Sequence, residues 1–590
     1  MLVNVPYLVT LFVCLLRVTV AQMQKDESPI HVTPLKIPVA TNSVTTSVSI
    51  LANSVLPIVA VGIPSRIKFL IIQCHSQKNN ITLAYDPDLT PSTGSVYGTN
   101  IGLVGLLEPL VTEFCVWLFN YNTVNFTILV NIVPYDTNEP IPGGCNMEFP
   151  VEISPFLRVH YDYVNTRVEF QHGRLPSSRG MPPVSCDTSI MFLSYQLYVY
   201  FLGENDYSER TYFDGIKAVT NITSIKKHAS LVQPFGQKPT TRALFLSYPG
   251  QGVIYSLIVQ YRKNDVTYEA AYVPSSTYGC SFLSEVDGCG QLSQPFAKVF
   301  AVILAAVGLF ICMRGHRFFK TEMFFFGFLV FSLLSFILWT RFTDISTTDR
   351  DVLTITFGFV GGVAWLAVWW FFGIPVISVL LVDFTLGFLL TSVVFFSPVG
   401  NFDVFRSDFN YWMIFACGIL ALPVFTLPMT KTLNIIATAT VGGYCSIVVI
   451  DRYIGTTLTY IVLNVVKRAV VEDLALASNN FPFQTNDVIL SVAWGILTFM
   501  GMSLQLYTEF KRPPFPPTPY KIWQRNRQLR RQRQLNLAQR SISIQPTAPF
   551  RDQIDTSNEY QPLLGRRREP LRSYASTYSA NGLSNRDIVD

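Results

Sequence analysis

Six histidines, six cysteines between residues 22 and 295 and one aspartate inside an apolar run are the residues of this 590-residue chain best placed to do chemistry. The histidines are His31, His75, His160, His172, His228 and His316, and none falls in the long apolar stretches of the second half. A hydrolase holding zinc within a helical bundle needs several imidazole ligands there, so that class does not fit. HExxH, GxSxG and Walker P-loop patterns are also missing from the sequence. No residue is assigned a catalytic, cofactor-binding or metal-binding role, and the chain reads as a non-enzyme.

Asp383 sits midway through Ser378-Val379-Leu380-Leu381-Val382-Asp383-Phe384-Thr385. An ionisable group at membrane depth is costly and marks a functional position by default. No Lys, Arg or His lies in a neighbouring apolar stretch to pair with it. A proton or cation pathway is expected to show more than one such residue, so a protonated or water-bonded Asp facing a bundle interior is the favoured reading. Asp451-Arg452-Tyr453 looks like the tripeptide of rhodopsin-like receptors, but it follows the sixth apolar stretch rather than the third and is read as coincidence.

Cys74, Cys115, Cys145, Cys186, Cys280 and Cys289 precede residue 296. An even number in an oxidising compartment predicts disulfides, with up to about 15 complete pairings. Cys280 and Cys289 flank a short polar loop and are the best single pair. All three N-glycosylation acceptors lie in the same half: Asn80 in Asn-Ile-Thr, Asn125 in Asn-Phe-Thr and Asn221 in Asn-Ile-Thr. A glycan needs a lumenal or extracellular loop, which places this half outside the cytoplasm. Cys312, Cys417 and Cys445 fall in apolar stretches and read as small packing residues.

The elements that must position these groups follow from composition. The chain is 49% hydrophobic and 14% charged, with mean hydropathy +0.32, too apolar for a purely soluble protein. Residues 1–21 read as a signal peptide, with Thr19 and Ala21 at the cleavage-site positions. Strand-like alternation and turn clusters such as Asp86-Pro87-Asp88 and Pro142-Gly143-Gly144 predict two β-sandwich-like modules, 22–150 and 151–295. If all six cysteines paired, at least one bridge would join the modules.

From 296 to 507 come seven apolar stretches, near 297–313, 323–339, 352–372, 374–396, 411–429, 433–451 and 488–507. Each approaches the roughly 20 residues needed to cross a bilayer. Gly358, Gly361, Gly362, Gly442 and Gly443 read as close helix contacts, and Pro423 and Pro428 as bends. Residues 458–471 are too short to span and would lie at the interface or on the bundle. The expected class is thus an all-β, sandwich-like N-terminal region, then an α-helical seven-transmembrane bundle and a disordered cytoplasmic tail.

The tail, 508–590, carries 15 Lys and Arg against 7 Asp and Glu, a net +8 that leaves −3 for the rest. Such an excess after a span marks a cytoplasmic face and suits anionic lipid; a nucleic-acid partner is not expected. Arg512-Pro513-Pro514-Phe515-Pro516-Pro517 reads as a polyproline-II spacer or SH3/WW ligand. Glu559, Leu563 and Leu564 fit an acidic dileucine sorting signal for coat adaptors, with Arg566-Arg567-Arg568 as a competing ER-retrieval signal.

Several blocks resemble the transmembrane 7 superfamily member 3 family: Pro142-Gly143-Gly144-Cys145-Asn146-Met147-Glu148-Phe149, Pro249-Gly250-Gln251-Gly252-Val253-Ile254-Tyr255, GHRFFKTEMFF from Gly315, FPFQTNDVIL from Phe481 and PPFPPTPYKIW from Pro513. They run in the family's order over roughly residues 60–523. The resemblance implies a glycosylated seven-pass protein linked to cell survival and protein homeostasis, including damping of the unfolded-protein response. It supplies no catalytic or ligand residues. An orphan receptor or signalling adaptor, and a channel or transporter, are the alternatives. Expected partners are the lipid bilayer, lumenal or extracellular proteins, and sorting adaptors, in the secretory or endolysosomal system or the plasma membrane.

Overall fold

A computed structural model of the chain describes residues 33–542, except 40–41, 88–93, 146–152, 236–240, 283–288, 290–294, 427–428, 473, 514 and 517–518. The expected signal peptide, Pro428, the sorting-signal residues Glu559, Leu563 and Leu564, and Arg566–Arg568 lie outside the described residues.

Nine strands build the first domain: β1 (Leu35–Pro38), β2 (Val44–Ile50), β3 (Ser54–Val61), β4 (Phe69–His75), β5 (Ile81–Ala84), β6 (Ser95–Gly98), β7 (Asn100–Leu106), β8 (Phe114–Asn120) and β9 (Phe126–Tyr135). They form two sheets ordered β1-β3-β8-β5-β6 and β2-β9-β4-β7. Every residue of β4 is buried, which explains its apolar run Phe69–Ile72, since a strand covered on both faces need not alternate. Leu70, Ile72 and Cys74 point into the sandwich with Ile58, Val116 and Val130. Phe69 and Ile71 point the other way, into a core shared with Leu157, Tyr195 and Val273 of the second domain.

Gln73 and His75 lie on that second face by the same alternation, and each is paired there. Gln73 Oε1 accepts from Asn131 Nδ2 at 2.9 Å, and the His75 Nδ1–H reaches Asn100 Oδ1 at 2.9 Å. Tyr212 of the second domain donates to the same Asn100 oxygen at 2.6 Å, and Asn100 Nδ2 donates to Ser276 Oγ at 3.0 Å. Burial lowers His75 to about 4, so the ring stays neutral in this interdomain network.

The second domain carries β10 (Leu157–Tyr161), β11 (Asn165–Phe170), β12 (Leu193–Phe201), β13 (Ser230–Phe235), β14 (Arg242–Leu246), β15 (Val253–Lys263), β16 (Val266–Ala271) and β17 (Ser275–Thr277). One sheet runs β13-β12-β15-β16 with β17 paired to β15; the other is β10-β11-β14. Asn264 and Asp265, both at positive φ, close the β15–β16 hairpin with the backbone a type I′ turn demands. Three short helices interrupt the strands: α1 (Cys186–Ile190), α2 (Glu209–Ala218) and α3 (Ile222–His228). Ser208 caps α2 by accepting from Thr211 N, and Asn221 caps α3 by accepting from Ser224 N.

Two disulfides form, Cys145–Cys186 and Cys280–Cys289. Cys74 and Cys115 belong to neither of these bridges, so the condition that all six pair is not met by these two. Their side chains face opposite ways: Cys74 lies in the sandwich core, while Cys115 packs on the far side of the other sheet with Ala84, Trp117 and Phe119. Neither of the two bridges among the described residues joins the two sandwiches. Cys145 donates its N–H to the His172 carbonyl oxygen, so its segment already belongs to the second one.

The helical region comprises α4 (Pro295–Arg314), α5 (Phe319–Phe342), α6 (Thr347–Phe372), α7 (Pro375–Phe396), α8 (Asp408–Thr426), α9 (Thr430–Ile454), α10 (Tyr460–Val470) and α11 (Thr485–Glu509). Among the described residues six helices are long and apolar enough to cross a membrane, from α5 to α9 and α11; Val299–Arg314 of α4 forms a shorter apolar helix. A Cβ on Gly442 would meet Cys312 N and Gly308 O at 2.7 Å, so α9 and α4 approach as only small residues allow. Gly362 of α6 meets Phe324 of α5 in the same manner. Pro423 lies inside α8. A further helix, α12 (Pro519–Ile542), carries the basic run.

Candidate functional sites at the two ends of the helical bundle

The second domain rests on the bundle through α10 and the loops on either side of it. The loop after α10 supplies a backbone partner to β14, an edge strand that would otherwise be open. Ser478 N–H donates to Leu244 O at 2.9 Å, and Leu246 N–H donates to Ser478 O at 3.2 Å. Next to it, Asn479 accepts from the Tyr248 hydroxyl at 2.5 Å and donates to Phe396 O at 3.1 Å, tying a β-domain residue to the end of α7.

Lys467 of α10 is 6% exposed and reaches out of the bundle to donate to Ser247 O at 2.9 Å. Burial lowers it to about 8. Its neighbour Arg468 turns the other way, pairing with Asp408 at 3.0 Å with its guanidinium 3.7 Å above the Tyr411 ring. Adjacent positively charged residues in an apolar segment thus serve two different contacts. The segment packs on the bundle, one of the two placements read from sequence.

A cluster of carboxylates sits beside this contact. Asp487 in the first turn of α11 accepts from Thr457 N at 2.7 Å and Thr457 Oγ1 at 2.8 Å. Asp451 at the end of α9 accepts from the hydroxyls of Thr456 and Thr459 and from Thr459 N. The tripeptide set aside in the sequence is therefore structural: Asp451 organises the α9–α10 turn and Arg452 donates to the Tyr163 hydroxyl.

Glu204 approaches from the loop after β12. Its N–H donates to Gln484 Oε1 at 3.2 Å, and Gln484 Nε2 donates back to Leu202 O at 2.8 Å. Burial, then the neighbouring Asp487, raise Glu204 to about 7. Between Tyr163, Tyr248, Asp451, Arg452, Thr456 and Tyr460 lies a cavity of about 60 Å³. That is room for a few waters and well short of the ~300 Å³ at which drug-sized ligand pockets begin. The junction is built for holding rather than for ligand capture.

At the opposite end the sequence reading missed a second acid. Glu322, in the first turn of α5, is fully buried. Asp383 lies within its electrostatic range and Asn434 of α9 stands beside it. The view of Asp383 as the sole intramembrane acid is corrected: Glu322 sits at the edge of an apolar run, where a helix start and a loop look alike. Asn434 Nδ2 contacts His316 Nδ1 at 3.0 Å; Gln505 accepts from His316 N at 3.0 Å and donates to Cys312 O at 2.7 Å. Phe515, from the Pro-rich segment, caps this group against His316 at 5.6 Å and Phe319 at 5.5 Å. Among the described residues no group of three or more His, Cys, Asp or Glu could hold a metal ion.

The remaining sequence-derived positions lie on the β-domains. Asn80 and Asn125 are exposed at strand connections, and Asn221 is half-buried at the start of α3.

Two sandwiches seated on a set of apolar helices define a multi-pass membrane protein with tandem immunoglobulin-like domains. Comparison with known families matches residues 38–135 to the TM7SF3-like N-terminal immunoglobulin-like domain and 140–283 to the second one. Residues 301–506 match the TM7S3/TM198-like domain. Transmembrane 7 superfamily member 3 from Homo sapiens is 40% identical over 477 residues, covering 79% of this chain and 82% of the relative. The Rattus norvegicus and Mus musculus proteins of that name are 39% and 38% identical over 474 residues, each covering 79% of this chain and 83% of the relative. The chain belongs to the transmembrane 7 superfamily member 3 family. A solved structure, the periplasmic lysozyme inhibitor PliG of Aeromonas hydrophila, aligns with 17% of this chain and 97% of its own at 11% identity and a TM-score of 0.14, too low to bear on fold or function.

Proposed function

We propose that the chain is a non-catalytic, seven-pass glycoprotein that supports protein homeostasis in the secretory pathway and attenuates the unfolded-protein response. Its immunoglobulin-like domains would contact lumenal or extracellular proteins. The observation that carries this reading is the pinned junction, where Ser478, Lys467 and Asn479 fix the second domain to the bundle. A partner seated on the β-domains would act on the membrane helices through these contacts.

The orientation that goes with this function puts the β-domains outside the cytoplasm and the tail inside. It is supported by the three acceptors Asn80, Asn125 and Asn221 in one half and the +8 tail in the other. The tail would carry the sorting residues Glu559, Leu563 and Leu564, and residues 1–21 would be cleaved. In cells depleted of the protein, an unfolded-protein-response reporter should rise and be restored by the wild-type chain. Restoration by a chain lacking residues 22–295 would defeat the proposal. The same junction favours a second reading, a receptor that passes partner binding to the tail; proximity labelling from the tail would then recover signalling proteins.

A further inference from the structure

The helix α12 (Pro519–Ile542) carries one lysine, six arginines and no acidic residue in 24 positions. Pro519 opens it, as a helix start favours, and no other Pro or Gly interrupts it. Its charges are crowded. Arg527 stands three and four residues from Arg530 and Arg531, and Arg530 three from Arg533. Like charges at that spacing repel and weaken the helix that carries them, so an acidic surface laid along α12 would stabilise it. Among these charges Ile522, Trp523, Leu529, Leu535 and Leu537 are each at least 45% exposed.

These apolar side chains do not share one side of the helix. At about 100° per residue, Ile522 and Leu529 lie within about 20° of each other, while Trp523 stands about 100° from Ile522. Leu535 is about 120° from both Leu529 and Trp523. Basic residues stand between them all round, and the Arg527 guanidinium lies 5.2 Å from the Trp523 ring. A helix lying on a bilayer buries a single apolar face and keeps its charges on the other; a plane laid against Ile522 would leave Leu535 turned about 140° away. Ile522 and Leu535 are also about 20 Å apart along the axis, at 1.5 Å per residue. A binder that takes both must reach round the helix, holding one end from one side and the other end from nearly the opposite side.

We propose that α12 is the target helix of a calcium-loaded EF-hand protein with two lobes and an acidic surface, of the calmodulin type. Such a sensor opens an apolar, Met-rich groove when it binds calcium, and grooves of this kind read helical anchors one or two turns apart. One lobe takes Ile522 and Leu529, seven residues apart on one face; the other takes Leu535 from the far side. The carboxylates around the grooves meet the uninterrupted positive charge of the helix, the complementarity that selects a partner and its register. The partner is cytoplasmic, so the inference rests on the orientation proposed for the tail.

The test titrates dansyl-labelled calmodulin into the full-length chain in phosphatidylcholine nanodiscs at ~0.15 M KCl, where exposed charges are screened beyond about 8 Å. With calcium, binding should saturate at one calmodulin per chain, and EGTA should abolish it. Leu529→Gln combined with Leu535→Gln keeps every charge and a good helix former. Removing two apolar anchors should weaken binding at least about tenfold. A wild-type chain without saturable binding would overturn the proposal. Binding that ignores calcium, or that survives both glutamines unchanged, would do the same, because charge alone would then account for it. A tail protected from trypsin only in phosphatidylserine nanodiscs, with no calmodulin bound in either disc, would overturn it in favour of a lipid surface. Nanodisc binding is read without regard to orientation, so its failure strikes this inference alone. A tail shielded from protease in sealed microsomes would strike the orientation and the cytoplasmic partner together.

Discussion

Lys467 and Ser247, 220 positions apart in sequence, meet where a buried ammonium donates to a backbone carbonyl oxygen at 2.9 Å. The contact crosses from the helical bundle to the second immunoglobulin-like domain, and the Tyr460 ring lies 5.2 Å from the same ammonium. Replacing Lys467 by Met keeps the apolar stem and removes the donor. An unpaired buried carbonyl costs about 1–3 kcal/mol, so Lys467→Met should loosen the junction by that order. Faster hydrogen exchange at Leu246 and Ser478 would report it; unchanged protection at both would show that the ammonium holds nothing.

Glu204 predicts a pH dependence with a definite sign. Its docked value of about 7 lies above the value near 4.3 of a free glutamate. The docked state therefore holds more protons than the undocked one between these limits. Docking is fully favoured below about 4.3 and weakens as pH rises through about 7. Spin labels on the second domain and on α11 should show a broader distance distribution at pH 8 than at pH 5, and Glu204→Gln should abolish the difference. Equal distributions in the wild-type chain would contradict this.

The two disulfides should differ in weight. Cys145–Cys186 spans a sequence separation of 41 and Cys280–Cys289 one of 9, and a longer closed loop restricts the unfolded chain more. Replacing Cys145 and Cys186 by Ala should lower stability by about 2–5 kcal/mol, more than the same change at Cys280 and Cys289. Thermal unfolding of the two double variants orders them directly. Cys74, whose thiol burial pushes up, should stay unreactive to maleimide until the β-domains unfold.

Gly442 should not accept a larger side chain. A Cβ there would press on Cys312 N and Gly308 O, backbone atoms that cannot rotate away. Overpacking of this kind costs about 1–3 kcal/mol. Gly442→Leu should lower the melting temperature of the protein in detergent, while Gly495→Ala, with open space around its position, should leave it nearly unchanged.

How far the sequence speaks depends on which forces are local. Apolar run length marks α5 to α9 and α11 because the bilayer imposes it, and strand alternation marks β9 and β15 for a comparable reason. The helices α2 and α3 were missed inside a β-domain, although Ser208 and Asn221 are good N-caps; short helices carry too few turns for periodicity to register. Asp383 stood out because it is surrounded by apolar residues. Glu322 did not, because only tertiary packing buries it. The disulfide partners of Cys145 and Cys186, and the different fates of Lys467 and Arg468, depend on which faces meet, and spacing along a chain does not encode that.

With β4 giving one row of side chains to each of two cores, the second immunoglobulin-like domain completes its interior with Phe69, Ile71 and Tyr135 of the first. A chain truncated between them would leave Phe69, Ile71 and Tyr135 facing water, a ready substrate for chaperones. The pair should melt as one cooperative block.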